Sequence, residues 1–201
     1  MKIESVLFAI GGMLFGVILG WIIGSQASGP SAMRAPVAQE APPAPSQGGG
    51  QAQPALDEGR VQALQTIVNN DPKNVEARVQ LANTYFDGER YAEAIRWYED
   101  ALKLDPRNVN VSTDLGVSYY YTNEPDRALR QFEHSLSIDP RHTKTLLNQG
   151  IVRAFGKQDL DGASESWRRV VELAPDSPEG QAARRALESM RSAHPGGTGA
   201  L

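Results

Sequence analysis

A 34-residue period in the positions of proline constrains the fold of this chain more than any other feature. Three Asp-Pro pairs lie 34 residues apart in sequence: Asp71-Pro72, Asp105-Pro106 and Asp139-Pro140. Pro175 continues the series after 35 residues. A period of this length is typical of helix pairs that stack into a solenoid. Because a solenoid exposes a long concave surface suited to a bound polypeptide, we predict an all-α fold with a binding function rather than catalysis.

Residues 75–108 and 109–142 match each other in small and aromatic residues at fixed offsets. The matching residues are Leu81-Ala82 with Leu115-Gly116, Tyr85 with Tyr119, Ala94 with Ala128, Tyr98 with Phe132, and Pro106 with Pro140. Residues 143–177 follow the pattern less regularly, with one extra residue either between Gly150 and Phe155 or at the helix end. This register closely resembles that of the tetratricopeptide repeat (TPR), and the resemblance covers about residues 71–176.

The same residues indicate how the helices pack. Small residues are expected where the two helices of a pair approach closely, and aromatic residues fill the space between consecutive helices. Residues 56–69 read as one amphipathic helix before the repeats, and a last helix starts at Pro178 and runs to about Ser192. The apolar side of the first of these is assigned to Val61, Leu64, Ile67 and Val68. We therefore predict a TPR solenoid over residues 56–192 with eight helices, three pairs and two flanking single helices, followed by a disordered tail over 193–201.

Residues 6–23 form an apolar run of eighteen residues without a charge. A helix of this length spans about 27 Å, close to the thickness of the hydrocarbon core of a bilayer. We predict a transmembrane anchor over residues 1–24. The alternative is a cleaved secretory signal, because residues 25–27 resemble a processing site, but the apolar run is longer than in most such signals. Glycines recur on one face of this helix, where a second helix could approach: Gly12, Gly16, Gly20 and Gly24.

The segment between the anchor and the repeats is predicted to be a disordered linker. Residues 25–55 are rich in Ala, Pro, Gln, Gly and Ser and contain few large apolar side chains, so they cannot offset the entropy of ordering. A short amino-terminal flank before a long domain favours a cytoplasmic amino terminus. The resemblance is thus to a bacterial membrane-anchored TPR protein, single-pass in the inner membrane, with its carboxy-terminal domain in the periplasm or another extracytoplasmic space.

Composition and motifs argue against nucleic-acid binding and catalysis. The net charge of −4 gives no broad attraction to phosphate, and the absence of cysteine excludes disulfides and thiolate sites. The three histidines, His134, His142 and His194, lie in separate contexts. No common hydrolase, metalloprotease or nucleotide-binding motif is present in a usable context. We expect a non-enzymatic protein that uses no metal and no cofactor.

The TPR resemblance implies where a ligand lies, because in this family the first helix of each pair lines the concave face. Carried over by position, the peptide-binding groove consists of Val79, Asn83, Phe86, Asp87, Thr113, Asp114, Val117, Tyr120, Tyr121, Lys144, Leu147 and Asn148. Some family members bind a carboxy-terminal carboxylate with Lys, Asn and Arg on this face. Here Val79 and Thr113 carry no charge and Asp114 places an acid where an amide is needed, so we reject the carboxylate clamp as the main mode.

A better ligand is an extended segment or amphipathic helix with apolar side chains and a basic residue that reaches Asp87 or Asp114. The alternative for Tyr120 and Tyr121 is that they only pack between repeats. The predicted function is a membrane-anchored adaptor that binds a protein or peptide, with another membrane protein among the candidate partners. Two alternatives remain: a self-assembling scaffold, and a factor similar to bacterial cytochrome c maturation proteins that hold an unfolded apoprotein.

Overall fold

The computed structural model describes residues 55–193, which contain eight α-helices and no strand. The helices are α1 Glu58–Asn70, α2 Val75–Asp87, α3 Tyr91–Leu104, α4 Val109–Tyr121, α5 Pro125–Ile138, α6 Thr143–Ile151, α7 Leu160–Leu173 and α8 Pro178–Ala193. A short π-helix, Val152–Gly156, continues α6. The predicted all-α solenoid of eight helices is therefore confirmed.

The predicted anchor lies outside the described residues, as does the glycine face at Gly12, Gly16, Gly20 and Gly24. Nearly all of the predicted linker and tail also lie outside them. Within residues 55–193 no helix has the length and apolar character that crossing a membrane requires. The anchor, the linker and the tail stay predictions.

The helices pack in the order in which they follow one another. α2 pairs with α3, α4 with α5 and α6 with α7, while α1 covers α2 at one end and α8 covers α7 at the other. The predicted close contacts are present, since Ala82, Ala94 and Ala128 are fully buried. One assignment to the apolar side of α1 is wrong. Ile67 is 46% exposed, because α1 packs against a neighbouring helix on one side only and Ile67 lies away from that helix.

Local signals in the sequence explain where the helices start and stop. The Asn74 side chain accepts a hydrogen bond from the backbone N–H of Ala77 at 2.8 Å, and Asn108 accepts one from Val111 at 3.2 Å, so both cap the helices that follow. Ser177 caps α8 in the same way through Gly180. α1, α3 and α5 end immediately before the three Asp-Pro pairs, because a residue that precedes proline is disfavoured in helical geometry.

The extra residue of the third repeat is accommodated inside its first helix. The backbone N–H that closes the turn after this helix bonds back five residues in the first two repeats, from Arg90 and Glu124, but six residues in the third, from Asp159. Each of the three loops still contains one residue with a left-handed backbone: Glu89, Asn123 and Gln158. The wide turn of the π-helix therefore absorbs the insertion, and because it is the last turn of the helix, it overlaps both expected locations.

We expect glycine at Gln158 to stabilise the domain. Gln158 has a φ of 56°, which is unfavourable for a residue with a Cβ, and its side chain is exposed. The Gln158→Gly substitution should raise the free energy of unfolding by about 0.5–1 kcal/mol, measured by urea unfolding followed by circular dichroism. Glu165→Gly, on an exposed helical position of α7, is the matched control and should lower it by a similar amount. Equal effects of the two substitutions would contradict the prediction.

Candidate peptide-binding groove

The buried Tyr98 holds the side chain of Asn83, one of the predicted groove residues. The Tyr98 side chain extends from α3 and donates a hydrogen bond from Oη to Asn83 Oδ1 at 2.7 Å. Burial, together with the charges of Asp114 and Asp87, raises the pKa of Tyr98 far above its ordinary value, so the phenol stays a donor. The side-chain oxygen of Asn83 is therefore committed to the fold.

An ion pair joins the first helices of the second and third repeats. Lys144 Nζ on α6 lies 2.6 Å from Asp114 Oδ1 on α4. Asn148, one turn further along α6, donates a hydrogen bond to the backbone carbonyl of Lys144 at 2.8 Å. The charge of Lys144 is thus already balanced, and Asn148 is turned toward its own helix. This geometry suits an anionic ligand poorly.

The prediction that Thr113 lines the groove is wrong, because its side chain is buried. Its side chain is fully buried, donates to the backbone carbonyl of Val109 at 2.7 Å, and lies 2.6 Å from Thr145 Oγ1. His142 extends this contact, with Nδ1 2.6 Å from Thr145 Oγ1 and Nε2 3.1 Å from Asn110 Oδ1. The polar chain fills the space between α4 and α6, so no ligand reaches Thr113.

The remaining apolar residues of the groove are half-buried. Val79, Val117 and Leu147 come from the first helices of successive repeats and pack partly against the two core clusters beneath them. Asp87, at the end of α2, is exposed and makes no hydrogen bond or ion pair with another residue of 55–193. Burial raises the pKa of its carboxyl group, and the more distant charge of Arg60 acts in the opposite direction.

Four aromatic residues gather where the first helices of repeats one and two end. We call Phe86, Tyr91, Tyr120 and Tyr121 the aromatic edge. The rings of Tyr91 and Tyr121 are stacked with centroids 4.5 Å apart, and Phe86 meets them edge-to-face at 5.2 and 5.7 Å. Tyr120 lies 6.0 Å from Tyr121. Such contacts each contribute about 0.5–1.5 kcal/mol beyond burial, so they help to hold the four rings together.

The two tyrosines at the end of α4 have different surroundings. A Cβ at Gly156 would lie 3.2 Å from the Tyr120 ring, so Tyr120 packs close to the third repeat. Burial, followed by the neighbouring Tyr91 and Tyr120, raises the pKa of Tyr121 to about 12. Both residues remain half-buried. They therefore pack between repeats and also present surface at the aromatic edge.

Sequence reasoning left two aromatic residues, Tyr91 and Phe155, out of the predicted groove. Tyr91 was not among the predicted groove residues because it begins a second helix, yet it follows the end of α2 by a three-residue loop and stacks on Tyr121. Phe155 is 41% exposed on the π-helix. Its position was visible in the sequence, because Phe86, Tyr120 and Phe155 each lie eight residues before a small alanine of the repeat. Within residues 55–193 no three His, Asp or Glu side chains converge in a way that could hold a metal ion.

Comparisons with known proteins support the TPR assignment. A family model described as TPR repeat matches residues 82–123. No curated protein matches the chain. The first TPR of Spaghetti (RPAP3), solved bound to the HSP90 peptide SRMEEVD, is 26% identical with a TM-score of 0.54, covering 61% of this chain and 94% of that one.

Two further solved structures share the fold. The MamA protein is 18% identical with a TM-score of 0.56, and the match covers 72% of this chain and 87% of that chain. The Arabidopsis OM64 TPR domain is 17% identical with a TM-score of 0.51, and the match covers 66% of this chain and 99% of that domain. At these identities the likeness is one of fold alone. The described helices therefore form a TPR-like solenoid, a fold that generally mediates protein–protein interaction.

Proposed function

We propose that this chain is a membrane-anchored adaptor whose concave face binds a segment of a partner protein and thereby assists the assembly of a complex. One observation carries the proposal: three successive first helices present half-buried apolar side chains, Val79, Val117 and Leu147, and the aromatic edge lies at the end of two of these helices. A row of this kind suits the apolar side of an extended segment or an amphipathic helix.

The partner segment is apolar and basic rather than an acidic carboxyl terminus. The similar TPR of RPAP3 binds an acidic peptide, SRMEEVD. In this chain the lysine available for such a peptide, Lys144, is held by Asp114 at 2.6 Å. An incoming carboxylate would have to separate this pair and would then face the Asp114 charge. Charge complementarity therefore favours a cationic ligand.

We expect the peptide SRMEEVD to bind the full-length protein weakly, with a Kd above about 1 mM in isothermal titration calorimetry. The Asp114→Asn substitution removes the repelling carboxylate and leaves Lys144 without its partner, so we expect it to tighten binding by about tenfold. The first TPR of RPAP3 provides the positive control for the peptide. Micromolar binding by the unaltered chain would contradict the prediction.

A selection from a displayed library of random 12-residue peptides on the purified full-length protein tests the proposed function. We expect enriched peptides with spaced apolar side chains, and at least tenfold weaker binding of these peptides to the Phe86→Ala variant, because buried aromatic anchors dominate such interfaces. Leu104→Ala removes another exposed apolar side chain, at the end of α3, and is the matched control. Circular dichroism verifies that both variants keep their helicity.

Peptide selection and sedimentation velocity on the same protein together distinguish the adaptor from the scaffold alternative. If no peptide is enriched and sedimentation velocity shows assembly that grows with concentration, the chain is a self-assembling scaffold and the adaptor proposal fails. A defined peptide motif bound by a protein that stays at constant mass supports the adaptor. The apoprotein-holding alternative predicts that the selected motif resembles a haem-attachment segment.

The anchoring part of the proposal rests on the sequence. Residues 1–24 place the chain in a bacterial inner membrane, and residues 25–55 tether the repeats on the extracytoplasmic side. The protein should stay in the membrane fraction after alkaline extraction, and protease added to spheroplasts should digest the repeats. Release by alkali would refute the anchor, and protection from the protease would refute the orientation.

Loss of self-association in a variant with both Gly16→Ile and Gly20→Ile would assign the glycine face to helix pairing.

A further inference from the structure

The domain already contains one arginine held by aromatic and acidic groups. The guanidinium carbon of Arg127 lies 4.0 Å from the centroid of the Tyr119 ring. Its Nη1 is 2.7 Å from a carboxylate oxygen of Glu124, and its Nη2 is 3.6 Å from one of Glu99. Nη2 also donates to the Tyr119 hydroxyl at 2.9 Å. A ring and two carboxylates at this spacing recognise a guanidinium group by stacking and charge-assisted hydrogen bonds.

Carboxylates also accompany the rings of the aromatic edge. Phe86 and Tyr91 meet with ring centroids 5.2 Å apart, and Asp87 directly follows Phe86 in the chain. Glu89 occupies the loop between α2 and α3, near enough to add to the effect of burial in raising the pKa of Tyr91. Neither carboxylate makes a hydrogen bond or an ion pair with a residue of 55–193. The only cation that acts on Asp87 among these residues is Arg60, at longer range.

The other acidic residue of the predicted groove is occupied. Asp114 lies 2.6 Å from Lys144 Nζ, so a ligand cation would have to displace an existing partner there. Asp87 requires no such displacement. The sequence left Asp87 and Asp114 as equal candidates for a basic residue of the ligand, and the ion pair favours Asp87.

We propose that Asp87 and Glu89, together with the rings of Phe86 and Tyr91, bind an arginine or lysine side chain of the partner segment. This deepens the proposed function and rests on it. The aliphatic part of the basic side chain packs on the rings while the charged end reaches the two carboxylates. Arginine is preferred over lysine, because its planar guanidinium group stacks on a ring and donates to two carboxylates at once.

The test compares peptide selections on three full-length proteins. They are the unaltered chain, the Asp87→Asn and Glu89→Gln double variant, and Glu133→Gln, which removes an exposed carboxylate of α5 as a control. We expect the unaltered chain and the control to select peptides with arginine or lysine at one fixed position beside apolar residues. The double variant should select peptides without that preference. Because Asp87, Glu89 and Glu133 are all exposed, these substitutions should leave the core of the fold intact.

A thermodynamic cycle measures the contact directly. Replacing the selected basic residue of the peptide by glutamine should weaken its binding to the unaltered chain at least tenfold, and should change its binding to the double variant less than threefold. Binding to the unaltered chain should also weaken as the pH falls through the raised pKa of Asp87, because the carboxyl group then loses its charge.

The outcomes separate this inference from the function on which it rests. Enriched peptides without a basic position, or with an acidic one, overturn the cation site and leave the peptide-binding groove in place. The cation site is also overturned if the double variant and Glu133→Gln lose the preference for a basic residue equally, since the effect would then be one of net charge. A selection that enriches no peptide overturns both proposals.

Discussion

Replacing Trp167 with alanine is expected to lower the free energy of unfolding by about 3–5 kcal/mol, the range for removal of a large aromatic side chain from a core. Trp167 is the largest of the fully buried side chains within residues 55–193. It fills the space between α6 and α7, and its indole N–H donates to the backbone carbonyl of Leu147 at 3.1 Å. Alanine leaves a cavity and removes this hydrogen bond, so both effects destabilise the third repeat.

Urea unfolding followed by circular dichroism checks this value. Phe155→Ala is the matched control, because Phe155 belongs to the same repeat but is 41% exposed. We expect its effect on the free energy of unfolding to stay below about 1 kcal/mol. In a solenoid each repeat contacts only its neighbours, so hydrogen exchange should show that Trp167→Ala affects α6, α7 and α8 most. Equal effects of the two substitutions would mean that Trp167 does not hold the repeat together.

The second large effect on the free energy of unfolding is expected from Gly116→Ala. This substitution should destabilise the domain, whereas glycine to alanine within a helix usually stabilises. Within a helix this change normally stabilises by about 1 kcal/mol. A Cβ at Gly116, however, would lie 2.5 and 2.8 Å from two carbons of the Phe132 ring, which is fully buried on α5. Because the ring has no space to move into, we expect a loss of about 1–3 kcal/mol.

Two further variants isolate the cause of that loss. Gly59→Ala places a Cβ 3.6 Å from the nearest side-chain atom, an ordinary contact, so it should be neutral or stabilising. Combining Gly116→Ala with Phe132→Leu should cost less than the sum of the two single substitutions, because the smaller side chain removes the collision. Additive losses, or a Gly116→Ala protein as stable as the unaltered chain, would refute the packing explanation.

Much of the fold could be predicted from the sequence because the signals are local and repeated. Asparagine caps and Asp-Pro pairs mark the helix ends, and the 34-residue spacing repeats them. The extra residue of the third repeat was also visible, although its location in the π-helix Val152–Gly156 was not. The insertion can be absorbed anywhere that the helix can widen, and in this repeat the last turn of the helix widens.

The binding surface was less predictable, because position in a repeat fixes the helix face but not the contacts of a side chain. Thr113 has the same repeat position as Val79, yet it is fully buried because Thr145 of the next repeat meets its hydroxyl. Tyr91 belongs to a second helix and still stacks on Tyr121 of the next repeat. Both results depend on a contact with a neighbouring repeat.

The sequence by itself determined the helices, their order and the small and aromatic residues between them, since these follow from periodic burial and from local capping. Only the tertiary structure decided which charges and rings meet across repeats. Lys144 and Asp114 are 30 residues apart in the chain and 2.6 Å apart in space. Ion pairing and ring stacking depend on distances of a few ångströms between separate helices, and no local pattern in the sequence specifies those distances.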